Sequence, residues 1–286
     1  MKNEILVTGA TGFLGRHLVL ALQSRNLGVR QHSSADGDIA TCSLPMDGVS
    51  HVFHLAGKSY VPDSWQNPQR FYQTNVMGTV NVLEHCRRNK AALILISSYV
   101  YGQPQWLPVT EDHPLVAVNP YAHSKILAED AARFYDQRLG VPLVIVRPFN
   151  IYGPGQRDSF LIPSIVRQVL DPSVEAVRVQ DVEPKRDYLY VGDAVDLLLA
   201  LLRRGVGGVF NAGSGSSVSV GEIAALINQA AGISKPLVSN GERRPGEIMD
   251  VVADTSRAAA ELDWRPRTSL AVGIAAVVAA ERAPHG

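Results

Sequence analysis

The sequence predicts a doubly wound α/β protein followed by a smaller α/β unit, and three observations carry that prediction. Short apolar runs alternate with stretches of helical periodicity from residue 4 to residue 147. That order builds a parallel sheet with helices on both faces. A glycine-rich turn joins the first apolar run to the first helical stretch. After residue 150 the periodicity changes and the glycine pattern does not recur.

The first turn organises the rest. Ile5, Leu6 and Val7 form an apolar run suited to a buried parallel strand. Gly9, Gly12 and Gly15 follow, and Leu14, Leu18 and Leu22 then recur every four residues, as on one helix face. Strand, glycine turn and helix in that order are the context of a dinucleotide-binding fingerprint, and the fold it implies is Rossmann-type. The first glycine allows the tight turn, the second the close approach of a pyrophosphate, the third the packing of helix on strand. The helix N-terminus offers free N–H groups and a positive dipole end to the phosphates. Gly9, Thr11, Gly12, Phe13, Leu14 and Gly15 are therefore candidate cofactor-binding residues.

Composition narrows the partners. The chain has 286 residues, enough for one large or two modest domains, and its 46% hydrophobic and 7% aromatic content suits an ordinary core. A net charge of +0 gives no support for a nucleic-acid or anionic-membrane partner. No apolar run approaches the ~18 residues of a membrane span. Met1-Lys2-Asn3 leads straight into the first strand without a hydrophobic leader, so the expected location is cytoplasmic. Cys42 and Cys86 have no metal or redox spacing, and no metal site is expected.

Along the chain, Gly28-Val29-Arg30-Gln31 reads as a weak second strand. An acidic residue ends this strand in the NAD version of the fold. Here it runs into His32, Ser33 and Ser34, and Arg16 and Arg30 are cations that could meet a 2′-phosphate instead. NADP is thus expected slightly ahead of NAD. Asp36-Gly37-Asp38-Ile39 follows so soon that the next crossover helix is absent or vestigial. His51 to Gly57 reads as a third strand ending in small residues, which leave room for a ligand, with His54 as a packed strand residue. A helix is expected over 75–88. Leu93 to Ile96 is a buried strand that delivers Ser97 and Ser98 to the same sheet edge. The proline-rich stretch 103–120 is long enough to be a functional loop. A helix from Tyr121 to about Arg138 and a strand from Leu143 to Val146 follow. Residues 1–150 are expected to form the nucleotide-binding domain, with a returning segment near 188–213, and 151–286 mostly the substrate domain. In the latter, helices are expected over 160–170, 193–203, 218–231 (capped by Ser217 or Ser219), 255–262 and from 269 onward.

Tyr121 and Lys125 stand four residues apart and share a helix face. A free phenol titrates at about 10, too high for easy proton exchange at neutral pH. A nearby ammonium and a positive nicotinamide ring would lower it, making Tyr121 a general acid or base. Lys125 would also hold the nicotinamide ribose.

These residues together resemble the extended short-chain dehydrogenase/reductase family of nucleotide-sugar epimerases, dehydratases and reductases. The matching stretches are Thr8 to Gly15, His54-Leu55-Ala56-Gly57, Ser97 to Gly102, Tyr121 to Lys125, and Arg147-Pro148-Phe149-Asn150 with Gly153-Pro154-Gly155. Later ones are Arg186-Asp187-Tyr188, Asn211 to Gly215 and Arg243 to Glu247. The resemblance implies NAD or NADP, a nucleoside-diphosphate sugar and hydride chemistry at a sugar carbon, usually C4. It adds Asp38, Ile39, Leu55, Ala56, Gly57 and Pro148 to the cofactor site. Asn150 is implied at the diphosphate, Arg186 and Arg244 as cations of the nucleotide, and Ser59 and Val61 in the sugar pocket. It also implies a homodimer through the helices near residues 80 and 125. Dehydratases of the family carry Asp-Glu where this chain has Ser98-Tyr99, so dehydration is not expected. The stretch from Pro154 to Phe160, with Glu183 to Tyr188, looks like GDP-4-keto-6-deoxy-D-mannose reductases, although Ile151-Tyr152 departs from their pattern. The catalytic serine has two positions: counting back from Tyr101 gives Ser97, the choice made here, and counting along the strand gives Ser98. The expected activity is reduction of an NDP-4-keto-6-deoxyhexose at C4; the alternative is a C4 epimerase with tightly bound NAD.

Overall fold

Ile5 and Val7 lie in the core on one side of the first strand and Leu6 in the core on the other, each 3% exposed or less. A strand buried on both faces is why this run is continuously apolar rather than alternating. The structure, a computed structural model, describes residues 4–242 and 247–283. Its first half runs β1 (Glu4–Thr8), α1 (Phe13–Gln23), β2 (Val29–His32), β3 (Val49–His54), α2 (Val61–Gln66), α3 (Pro68–Phe71), a π-helical segment (Tyr72–Met77), α4 (Gly78–Asn89), β4 (Ala92–Ile96), α5 (Pro120–Leu139) and β5 (Leu143–Pro148). The second half runs β6 (Asn150–Tyr152), α6 (Leu161–Leu170), β7 (Val177–Val179), β8 (Lys185–Tyr190), α7 (Val191–Arg204), β9 (Gly208–Ala212), β10 (Ser217–Ser219), α8 (Val220–Ala231), β11 (Leu237–Ser239), α9 (Ser256–Leu262) and α10 (Leu270–Arg282).

The main sheet has six strands in the order β2-β1-β3-β4-β5-β9. All its pairings are parallel, so the carboxyl ends share one edge. The chain leaves β1 toward β2 on one side, and β3 lies on the other. That reversal opens a crevice at the carboxyl end of β1, the usual ligand position in such sheets. The described residues between His32 and Val49 contain no helix, as Asp36 to Ile39 led one to expect.

One face of the sheet packs Ile5, Val7, Phe53 and Val146 against α1 and α7. The other packs Leu6, Val52, Leu93 and Ile145 against α4 and α5. A separate core forms from α6, α8 and α10 around Ile165, Ile227 and Ile274. There, β8 lies between β6 and β10. From this region the chain returns through α7, and β9 joins the main sheet beside β5, in register from Val144↔Gly208 to Pro148↔Ala212.

The structure differs from the sequence reading in its short elements. Helices α2 and α3 fall in a stretch for which the sequence predicted no element, and Pro62 and Pro68 each sit in the first turn, where the missing N–H costs nothing. Strands β6, β10 and β11 are three residues each, too short to show a period. Ser219, not Ser217, caps α8, in a reciprocal capping box with Glu222, while Val218 belongs to β10. Among the described residues, no helix is long and apolar enough to cross a membrane.

Candidate active site

The crevice begins at the glycine turn. Gly9 has φ +69, and a Cβ there would lie 2.7 Å from the Ala56 nitrogen, so the turn and the end of β3 touch backbone to backbone. A Cβ on Gly15 would collide with the Gly9 carbonyl, which is how α1 packs so close to β1. Gly12 caps α1 with no side-chain acceptor and no acid in the first turn. The helix end is thus left for an anion from outside the chain, and these residues fit a dinucleotide pyrophosphate. Thr11 is exposed, and Phe13 and Leu14 are half-buried in the first turn.

Thr8 fastens the neighbouring strand end. Its carbonyl accepts from Leu55 N at 3.2 Å, and its hydroxyl meets Ala56 N at 3.3 Å and His54 Nδ1 at 2.7 Å. His54 also meets Thr79 Oγ1 at 3.2 Å, and burial first, with Lys125 and His32 adding, pushes its pKa down to about 3. It is a neutral packed residue, as its place in the strand implied. Ile39 is 6% exposed and its carbonyl accepts from Asn81 at 2.9 Å; Asp38 is exposed and caps the Ala40 N–H. Pro148 ends β5, and its carbonyl accepts from Tyr99 N at 3.1 Å.

On α5, Asn119 caps the helix by accepting from Ala122 N at 2.8 Å, and Pro120 opens the first turn. Tyr121 and Lys125 follow on one face, both half-buried. Lys125 Nζ donates to the Ile96 carbonyl at 2.7 Å. Burial pushes this ammonium down to about 8, against the Glu129 carboxylate, which raises it. Tyr121 does not follow expectation. Burial pushes its phenol up to about 12, and the counteracting partner is the Ser98 hydroxyl, not Lys125. The Lys125 proton donor is turned to the strand end instead.

The two serines reach different groups of α5. Ser98 is half-buried and reaches the Tyr121 phenol. Ser97 is 4% exposed and lies beside the Glu129 carboxylate, outside strict hydrogen-bond geometry with any group.

Sequence reasoning passed over Asn75. This residue is 2% exposed in the π-helical segment. Its amide accepts from Lys58 N at 2.8 Å and donates to Lys58 O at 3.1 Å and Ser124 Oγ at 2.9 Å. It also stands 3.1 Å from a Cβ built on Gly57, which in turn would be 3.7 Å from Lys125 Nζ. Asn75 thereby fixes the Gly57–Lys58 turn against α5. The available signal was a lone amide on the apolar side of a helix, and the π-helical turn that aims it has no sequence period.

The substrate-side candidates are only partly gathered. Asn150 Nδ2 donates to the Asp187 carbonyl at 3.2 Å. Asp187 is fully buried and accepts from Ser214 N, Gly215 N and Ala253 N, pinning the loop after β9 beneath Arg186 and Tyr188. Arg186 is ion-paired with Glu247 and also donates to the Lys185 carbonyl at 2.8 Å. Ser59 is exposed and Val61 opens α2. Arg244 lies outside the described residues.

Neither proposed 2′-phosphate cation stands free. Arg30 is ion-paired with Glu4, at the amino end of β1, so its charge is drawn away from the crevice. Arg16 donates to the Gly155 carbonyl at 2.8 Å, joining α1 to the Gly153–Gly155 loop. At the end of β2 the Asp36 carboxylate turns back to accept from Ser33 N at 2.8 Å and Ser33 Oγ at 2.9 Å. The sequence put no carboxylate at this strand end, and the turn brings one to it.

Residues 5–213 match the family model described as NAD dependent epimerase/dehydratase family. A curated relative, GDP-6-deoxy-D-mannose reductase of Pseudomonas aeruginosa, is 31% identical, with 97% of each chain covered. The solved structure of RMD from Pseudomonas aeruginosa complexed with NADPH superposes with a TM-score of 0.88 at 30% identity, covering 97% of this chain and 98% of that one. UDP-glucose 4-epimerase of Thermus thermophilus in complex with NAD also superposes at 0.88, with 27% identity and 98% and 99% coverage.

Proposed function

The chain belongs to the NAD dependent epimerase/dehydratase family, and from that premise we propose that it reduces the C4 keto group of an NDP-4-keto-6-deoxyhexose. The observation that carries this reading is the cluster of Tyr121, Lys125 and Ser98 at one strand end, beside the glycine cradle. Bound there, the nicotinamide cofactor supplies the hydride. Tyr121 gives its phenolic proton to the oxygen of the reduced carbon. Ser98, rather than Ser97, donates to that oxygen and orients it. Lys125 keeps donors for the cofactor ribose beyond the one spent on Ile96. Gly9, Thr11, Gly12, Phe13, Leu14 and Gly15 take the pyrophosphate, Asp38 and Ile39 the adenine side, and Leu55, Ala56, Gly57 and Pro148 the ring end. Asn150 and Arg186 take the diphosphate of the sugar nucleotide, with Arg244, Ser59 and Val61 carried from the family resemblance. The lack of a carboxylate at Ser98 and Tyr99 supports reduction over dehydration. NADPH is kept as donor in this reading, with Arg16 as its cation. A cytoplasmic homodimer completes it.

A second reading, a C4 epimerase that retains NAD, is favoured by one observation. Asp36 lies at the end of β2, where a carboxylate suits a ribose 2′-hydroxyl. Incubation with GDP- or dTDP-4-keto-6-deoxyhexose and reduced cofactor tests the choice. Stoichiometric loss of reduced-nicotinamide absorbance is expected. Interconversion of two NDP-hexoses without added cofactor would favour the epimerase.

A further inference from the structure

A buried ion pair lies one helical turn beyond the reacting groups. Tyr121, Lys125 and Glu129 follow each other at intervals of four along α5, so they form one stripe. Glu129 is fully buried. Arg147 on β5, 2% exposed, grips it with two bonds, Nε to Oε1 at 3.1 Å and a second nitrogen to Oε2 at 2.7 Å. Arg133 adds a bond at 2.7 Å. Arg147 then donates to Tyr101 at 3.1 Å and to the Glu111 carbonyl at 2.9 Å, and Tyr101 donates to Asn211 at 2.6 Å. The network therefore joins the active-site helix to β5, to β9 and to the loop that follows β4.

A buried pair of this kind is a poor investment in stability alone. Removing two charges from water costs about what their attraction returns, and apolar replacements are often as stable. Its position suggests another use. The strand end that carries Ser98 lies against this network and is bonded to its neighbours. Ile96 O accepts from Lys125, Ser97 N donates to Val146 O at 2.8 Å, and the Ser97 side chain lies beside Glu129.

We propose that Glu129 is a positioning residue: held by Arg147 one helical turn beyond Lys125, it fixes Lys125 and the Ile96–Ser98 strand end in register. Its charge also favours the ammonium form of Lys125. The proposal rests on the reading of Tyr121 and Lys125 as the reacting pair. The titratable groups coupled to Lys125 are Glu129 from its own helix and His54 from β3, and the Arg147 and Arg133 cations are committed to Glu129. His54 is neutral across the working range, and the β4 end and the Asn75 segment contribute hydroxyl, amide and backbone groups only. Glu129 is thus the carboxylate acting on this ammonium.

The test is competitive trace labelling of lysines with acetic anhydride across pH, read by peptide mass spectrometry, on the cofactor-free protein. Lys90, exposed and remote, serves as internal reference. Wild type should show Lys125 half-labelled near pH 8. Glu129→Gln should move that midpoint down by roughly one pH unit without moving Lys90, and Glu129→Asp should restore most of it. Glu129→Gln leaves Arg147 unpaired and could fail to fold. The paired variant Glu129→Gln with Arg147→Met removes both charges, and it too should show the lower midpoint. An unchanged Lys125 midpoint in a folded paired variant overturns the proposal. The measurement needs no sugar substrate, so failure of every keto-sugar to react would count against the proposed function and leave this result readable.

Discussion

Lys125 Nζ is bonded to the Ile96 carbonyl and not to the Tyr121 phenol four residues before it. The strand end that carries Ser98 stands between the two, bonded to Lys125 at Ile96 and reaching Tyr121 at Ser98. With a pKa pushed to about 8, Lys125 is the group of this pair that titrates near neutrality. The sign follows: the ammonium is present below that value and lost as pH rises through it. Cofactor affinity and turnover should therefore fall above about pH 8. Lys125→Arg, a cation that does not deprotonate in this range, should lower the rate but flatten that limb. Rate profiles of both proteins check it.

Tyr121→Phe should retain cofactor binding and lose turnover by a factor on the order of 10², the scale of a lost general acid. Ser98→Ala should cost more than Ser97→Ala, because Ser98 reaches the phenol and Ser97 faces Glu129. A larger loss from Ser97→Ala would return the assignment to Ser97.

Asn75→Ala should lower stability by about 1–3 kcal/mol, because the Lys58 backbone and the Ser124 hydroxyl lose a buried partner. Denaturant unfolding measures this directly. Cofactor affinity should fall with it, since the Gly57–Lys58 turn loses its tie to α5.

Cofactor choice sets two residues against each other. Arg16→Ala should weaken NADPH more than NADH if the phosphate reading holds. Asp36→Ala should weaken NADH more than NADPH if the ribose reading holds. Arg30→Ala should change neither, its charge being committed to Glu4. Titration of both cofactors by nicotinamide fluorescence separates the outcomes.

Acid sensitivity follows from Glu129. Burial alone would push this carboxyl up, but the Arg147 hydrogen bonds and charge outweigh it and hold it below the ordinary range. The stability it contributes is present above the unfolded carboxylate value and lost as pH falls through the lowered one. The melting temperature of wild type should drop more steeply below pH ~4 than that of the paired Glu129→Gln, Arg147→Met variant.

Strong periodicity and positional glycines carried most of the fold from the sequence. The parallel strands read as apolar runs because both faces are covered. Gly9 and Gly15 read as a fingerprint because a side chain there meets backbone. The pair on α5 was legible because helical spacing is fixed. What escaped depended on tertiary direction. Ser97 and Ser98 are adjacent in sequence and reach different residues of α5, which counting along a motif does not decide. The Tyr121 phenol was expected to be lowered, yet burial dominates, and burial is a property of the assembled site. Arg30 looked like a phosphate ligand until Glu4 arrived beside it. Asp36 was read only as part of a short connection, and the turn that brings its carboxylate to Ser33 is tertiary detail.

The pairing of β9 with β5 has a consequence for synthesis on the ribosome. The main sheet lacks its last strand until the chain beyond β8 has emerged. One face stays open still longer, because Ala258, Leu262 and Trp264 belong to its core. The first 150 residues should therefore not complete folding as an independent N-terminal unit. Nascent chains cut short after residue 213 should expose apolar sheet surface and engage chaperones, and cofactor affinity should arise only once α9 is made.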